Sequence, residues 1–249
     1  MAVIDLHTHI LPGVDDGAST VEESVELARA LVDQGVLLAA ATPHVREDYP
    51  TDADTMEQLL ATLRLALERE GIDLRLRGGG EIALDRLHRL SADDLRRFGL
   101  GGNPRYLLVE FPYLGWPLAL PDVVSRLRGQ GITPVLAHPE RNPDVQEDPG
   151  RLRPLVAAGA LVQLTASSVE GRLGRRAQET SLALLRMGLA HRIASDAHRA
   201  GIRASGLGAA ARAVGDIHLA DWLTYGVPHA IVTGVPLPAR PRTRERLWR

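Results

Sequence analysis

Two periods of apolar and polar residues take turns along this chain. Ile4-Asp5-Leu6-His7-Thr8-His9 alternates with a period of two, as in an extended strand whose successive side chains face opposite sides. After a turn at Pro12-Gly13-Val14-Asp15-Asp16-Gly17, Ser19-x-x-Glu22 and Thr20-x-x-Glu23 overlap as helix capping boxes. Val21, Val25, Ala28, Leu31 and Val32 then recur at helical spacing as far as Gly35. The run 36–42 is continuously apolar, which predicts a parallel strand covered on both faces and ending at Pro43-His44. The same alternation continues. A polar loop at 45–53 and a helix over 55–70 lead to a third strand over 72–77 that meets Gly78-Gly79-Gly80-Glu81. Ser91-x-x-Asp94 caps a short helix, and a fourth strand over 106–109 runs into Glu110-Phe111-Pro112. A helix over 121–130 precedes a fifth strand, 133–137, that delivers His138-Pro139-Glu140-Arg141. A helix over 149–158 precedes a sixth strand, 160–165, which closes among Gln163, Thr165, Ser167 and Ser168. After a helix over 175–187, a seventh strand at 192–195 delivers Asp196 and His198, and helices near 207–214 and 216–225 follow.

Strands alternating with helices predict an α/β fold with a parallel sheet. Six of the seven strands end in an acid or an imidazole and the sixth in hydroxyls and an amide. An open sheet gathers ligands at one crevice, whereas a closed ring brings every C-terminal strand end to one centre, so the ends predict a barrel. No repeat or linker divides the chain, which reads as one domain over 1–235 with a Pro/Arg-rich tail over 236–249.

Composition narrows the chemistry. The chain has 249 residues, enough for one such barrel, and a formal charge of -2 that gives no reason to expect nucleic acid or a membrane as partner. With no cysteine, thiolate ligands, disulfides and a cysteine nucleophile are excluded. Positions 1–30 carry no leader pattern and no run reaches membrane-span length, so a cytoplasmic location is expected.

The strand ends converge nine candidate ligands: His7, His9, Asp16, His44, Glu81, Glu110, His138, Asp196 and His198. Imidazole with carboxylate and no thiolate suits manganese, iron or zinc better than calcium. Clustered acids would repel one another without cations, and the set exceeds what one ion needs, so two or three ions are expected. Asp5 and Asp15 read as supports that orient metal-bound histidines. His88, His191, His218 and His229 sit away from strand ends and read as structural.

His7-x-His9, Pro12-x-x-Asp15-Asp16-Gly17, Thr42-Pro43-His44, Gly80-Glu81, Glu110-Phe111-Pro112, Ala137-His138-Pro139-Glu140-Arg141 and Ser195-Asp196-Ala197-His198 together resemble the PHP (polymerase and histidinol phosphatase) superfamily. Within it the chain resembles the bacterial manganese-dependent tyrosine-protein phosphatases of capsule and exopolysaccharide operons. The resemblance implies a distorted (β/α)7 barrel with three divalent ions, manganese first, iron or zinc as alternatives. One ion would sit on His7, His9, Glu81 and Asp196, a second on bridging Glu81 with Glu110 and His138, and a third on Asp16, His44 and His198. Arg141 and Arg203 match arginines that hold phosphoryl oxygens.

The implied reaction is hydrolysis of phosphotyrosine by a hydroxide shared between metals, whose pKa the cations lower. A phenol of pKa about 10 leaves with little help from a general acid; His198 or His44 is the candidate to assist, although a metal-bound imidazole is a poor proton donor. Tyr113 or Trp116 is placed to meet the substrate ring, with Tyr106 and Phe111 assigned to the core. The implied substrate is the phosphotyrosine tail of a polysaccharide-assembly kinase, and a homo-oligomer is compatible with the sequence. Two other readings are a small-molecule phosphatase, such as one for histidinol phosphate, and a non-enzymatic metal-binding barrel. Val45 and the loop 46–54 depart from the family pattern, and the tail arginines at 240, 242, 244, 246 and 249 read as a solvated terminus.

Overall fold

The computed structural model describes residues 3–200 and 206–242. Its elements alternate in the predicted order: β1 (Val3–Thr8), α1 (Val21–Val32), β2 (Val36–Ala41), β3 (His44–Val45), α2 (Ala53–Arg69), β4 (Arg75–Arg77), β5 (Glu81–Ala83), α3 (Ala92–Arg97), β6 (Tyr106–Glu110), α4 (Leu120–Gly129) and β7 (Thr133–Ala137). Then follow α5 (Pro143–Glu147), α6 (Arg153–Ala157), β8 (Leu161–Thr165), α7 (Ala166–Val169), α8 (Arg175–Arg186), β9 (Arg192–Ala194), α9 (Leu207–Val214), α10 (Ile217–Asp221) and α11 (Val227–Thr233).

Local chemistry sets the helix starts. The overlapping boxes before α1 resolve into one cap: Thr20 accepts from the Glu23 N–H, while the Glu23 carboxylate reaches back to the Ser19 N–H at 2.7 Å. Ser91 and Asp94 form the reciprocal box that starts α3. The predicted helix over 149–158 is instead a 3-10 turn at Pro149–Leu152 followed by α6, because Pro154 has no N–H to carry one helix through. The segment 222–233, for which the sequence predicts only a helix ending near 225, is a π-helical stretch at Trp222–Gly226 running into α11.

All the strands pair in parallel, but not as one ladder. Three form a sheet in the order β1-β2-β4 and six a sheet in the order β3-β5-β6-β7-β8-β9. Two short strands lie beyond the predicted ends of the second and third: β3 follows β2 after Pro43, and β5 follows β4 after the Gly78–Gly80 run. At the far edges the sheets touch again: Thr8 bridges Ala197, the Asp196 N–H donates to the His7 carbonyl (3.0 Å), and the His9 N–H donates to the Ala197 carbonyl (2.8 Å).

Leu6, Leu108, Leu136 and Leu164 are among the fully buried residues of one continuous aliphatic core. Arg192 and Asp5 are also wholly buried, on β9 and β1. Burial pushes the Asp5 carboxyl up to about 6 and Arg192 down to about 9, the Asp5 charge opposing the latter shift. No helix among the described residues is long and apolar enough to cross a membrane.

Of the tail arginines expected to be solvated, Arg242 is exposed while Arg240 is held down. Arg240 donates to the carbonyls of Ala190 (2.9 Å) and Leu185 (2.8 Å) and covers the Trp222 ring, whose Nε1–H donates to the Pro238 carbonyl. The arginines at 244, 246 and 249 lie outside the described residues.

Candidate metal centre

The register places the ligating side chains. His44 on β3 lies opposite Glu81 on β5, and Glu110, the last residue of β6, lies opposite Ala137, one position before His138. Period-two alternation sends His7 and His9 to the same side of β1. His138 (φ 43°) and Asp196 (φ 56°) are the two non-glycine residues with left-handed backbone among those described. Such a conformation is costly for a side-chain-bearing residue and recurs at functional sites. Here it ends a strand and turns the chain at the site.

His7 Nε2 and His9 Nε2 are 3.2 Å apart, and each lies 3.3–3.4 Å from both Glu81 Oε2 and Asp196 Oδ1. Donor atoms held at about 2.0–2.2 Å from one ion stand about 3.1–3.6 Å from one another. Glu81 Oε2 is buried without a hydrogen-bond donor although three imidazoles surround it, the third being His44 Nδ1 at 3.0 Å. An ion would satisfy that orphaned oxygen, so the donor set fits a divalent metal. Burial alone would raise the Glu81 and Asp196 carboxyls, but the imidazoles, with Arg141 beside Asp196, hold both well below the usual range. Burial pushes His7 down and keeps it a neutral ligand.

Other donors extend the centre in two directions. Asp16 Oδ1 lies 3.4 Å from His44 Nε2 and 3.3 Å from His198 Nε2, and His9 joins this cluster, its ring stacked on that of His198. On the other side His138 Nε2 lies 2.7 Å from Glu81 Oε1. Neither the first nor the second set implied by resemblance is drawn together whole: His7 and His9 cluster with Asp196 without Glu81, Glu110 clusters with Glu81 and His44, and His138 with Glu81 and His7. Glu81 is common to the last two.

The supporting carboxylates lie behind the imidazoles. Asp15 Oδ2 takes the Nδ1 proton of His9 at 2.7 Å and the His44 N–H at 3.0 Å, leaving His9 Nε2 free to ligate. Asp5 accepts from the N–H groups of His7 and Ser195. Gln163, predicted only as a polar strand end, faces His7 Nδ1.

A cavity of about 310 Å³ opens over the cluster, its wall including Asp16, Arg46, Tyr113, Arg141, Ser167 and His198. Four larger clefts, of about 660, 650, 490 and 420 Å³, hold none of the ligand groups. Arg141 donates to Asp196 Oδ2 (2.6 Å) and to the Tyr113 hydroxyl (3.2 Å). Tyr113 stacks on His138 with ring centroids 5.5 Å apart, and burial pushes its hydroxyl up to about 12. Trp116, the other candidate for the substrate ring, packs instead on Phe111 and under Arg151, away from the cavity. Arg203 lies outside the described residues. Arg46 and Tyr49 were missed in the sequence; the basic residue at 46, two after a candidate ligand, was the one available signal.

The profile of the family described as capsular polysaccharide synthesis, CpsB/CapC, matches residues 3–221. The tyrosine-protein phosphatase YwqE of Bacillus subtilis is 37% identical over 198 residues, covering 79% of this chain and 77% of that protein. The tyrosine-protein phosphatase CpsB of Streptococcus agalactiae serotype III is 28% identical over 209 residues, covering 81% of this chain and 85% of that protein. Among solved structures, a chain from the work on YwqE and Streptococcus pneumoniae CpsB, described there as unique metal-dependent tyrosine phosphatases, superposes with a TM-score of 0.85 at 32% identity, over 97% of this chain and 100% of that one. A probable 2-pyrone-4,6-dicarboxylic acid hydrolase from Acinetobacter baumannii shares the fold alone, at a TM-score of 0.57 and 15% identity. The chain belongs to the CpsB/CapC family of capsular polysaccharide synthesis.

Proposed function

We propose that this protein is a metal-dependent phosphomonoesterase that hydrolyses phosphotyrosine in protein, the substrate being the phosphorylated tail of a kinase that drives polysaccharide assembly. The observation that carries the reading is that Glu81 Oε2 and Asp196 Oδ1 each lie 3.3–3.4 Å from both His7 Nε2 and His9 Nε2, beside a cavity walled by Arg141 and Tyr113. The two ladders, joined at Thr8 and Ala197, are read as one distorted (β/α)7 ring. Three ions are assigned, manganese first, to His7, His9, Glu81 and Asp196; to Glu81, Glu110 and His138; and to Asp16, His44 and His198. Arg203 is assigned to the phosphoryl group on its motif alone.

Divalent ions so held supply a nucleophile near neutral pH and neutralise phosphoryl charge. The chain's residues do the rest. Arg141, wedged between Asp196 and Tyr113, presents a fixed guanidinium edge to phosphoryl oxygens. The Tyr113 ring forms a flat wall for an aryl group, and its hydroxyl stays protonated as a donor. The cavity is at the small end for ligand sites, which suits one side chain and leaves the flanking peptide outside.

The test compares turnover of a phosphotyrosyl peptide with that of histidinol phosphate on manganese-loaded protein. The peptide is expected to be the better substrate, EDTA to abolish activity, and His138→Ala to lose both metal and turnover by about 10²-fold or more. Faster hydrolysis of histidinol phosphate would overturn the protein-substrate reading. Stoichiometric metal without release of phosphate from any aryl monoester would overturn the enzyme reading.

A further inference from the structure

We propose that the turn 46–50 is a clasp that positions the ligating side chains of Glu110 and His44 from outside the metal centre, with Arg46 as its working residue. The inference rests on the centre proposed above.

The turn is built, not loose. The Arg46 N–H donates to the Tyr49 carbonyl at 3.0 Å, and Val45 bridges Pro50, so the segment folds back on β3. This puts the Arg46 guanidinium between two acids. Its Nη1 donates to Glu110 Oε1 at 3.0 Å, while on the other side Nη2 donates to Asp48 Oδ2 at 3.0 Å and Nε lies 2.8 Å from Asp48 Oδ1. The Tyr49 ring covers the guanidinium at 5.3 Å and stacks on the His44 ring, 15° from parallel with centroids 5.7 Å apart. One arc of contacts thus runs from His44 through Tyr49 and Arg46 to Glu110, and its two ends belong to the same ligand group around Glu81.

Two consequences follow from the geometry. With Oε1 of Glu110 engaged by Arg46, the carboxylate is fixed in rotation and its second oxygen is free for an ion, as Asp15 fixes His9 on the opposite side. A fixed positive charge also offsets the repulsion between Glu81 and Glu110, which share that ligand group. Arg46 is in this sense a positioning residue. The phosphoryl group is assigned to Arg141, which shares the cavity wall with Arg46.

The experiment is a manganese titration by calorimetry on metal-stripped full-length protein, wild type against Arg46→Met, Arg46→Gln and Arg46→Lys, with steady-state hydrolysis of p-nitrophenyl phosphate at several manganese concentrations. Arg46→Met is expected to weaken the most loosely held ion by about 10–100-fold. Excess manganese should restore its kcat with KM unchanged, and Arg46→Lys, which keeps a donor for Glu110, should recover part of the affinity. If Arg46→Met fails to fold by circular dichroism, Arg46→Gln carries the same comparison. Tighter manganese binding in the variant would overturn the proposal by making Arg46 a competitor of the ion. Unchanged binding with a raised KM that manganese does not rescue would overturn it by making Arg46 a phosphoryl contact. A wild type that binds no manganese would overturn the metal centre itself, and the clasp with it.

Discussion

Gly17 is the position where one methyl group would do most damage. A Cβ there would fall 2.6 Å from the His9 Cβ and closer still to the His9 carbonyl oxygen, so the acidic turn folds over β1 only because position 17 has no side chain. Gly17→Ala is expected to cost about 2–3 kcal/mol in chemical denaturation and to weaken metal binding, since the atom displaced belongs to a ligand. His191 makes a different demand. Its Nδ1 accepts the Val162 N–H at 3.1 Å, which requires a neutral ring, and burial together with Arg240 pushes its pKa down to about 4. An unfolded histidine titrates near 6.5, so the stability His191 contributes is complete above about pH 6.5 and is lost as pH falls through 4, about 3 kcal/mol in all. In EDTA, urea midpoints of His191→Leu should fall less steeply over that range than those of wild type, from a lower starting point because the Val162 N–H loses its acceptor. The acids and imidazoles that cluster here could be listed from the sequence because successive strand ends repeat them in order. Arg46 was not, because an arginine in a polar loop gains meaning only from the acid it faces across 64 residues.

At the scale of elements, the alternation of strand and helix was legible from period and capping alone, as Thr20 and Ser91 illustrate. What periodicity does not encode is where a ladder breaks. Pro43 and the Gly78–Gly80 run were visible as residues, yet beyond each lies a further short strand that starts at a ligating residue, His44 or Glu81. The division of Glu110 and His138 between two groups was equally invisible, since it depends on how far each side chain leans toward Glu81. The left-handed backbones at His138 and Asp196 also belong to this scale. Glycine at 138 relieves backbone strain while deleting an imidazole, so His138→Gly should unfold at a temperature no lower than His138→Ala in EDTA, although both lose activity. Thermal melts of the two side by side check this.

The whole molecule carries its chemistry at one end of the strands and its terminal anchor at the other. Arg240 caps the carbonyls of Leu185 and Ala190, before β9 begins, whereas Asp196 and His198 follow its end. Arg240→Ala should therefore lower Tm by about 3–6 °C and leave kcat and KM for an aryl phosphate unchanged. The meeting of Thr8 with Ala197 bears on a different event, the birth of the chain. His7 and His9 leave the ribosome well before Asp196, their partner at 3.3–3.4 Å. A product that ends before Asp196 thus lacks one of the two carboxylates that face both imidazoles. The group of His7, His9 and Asp196 is therefore complete only once the chain has been made through that acid.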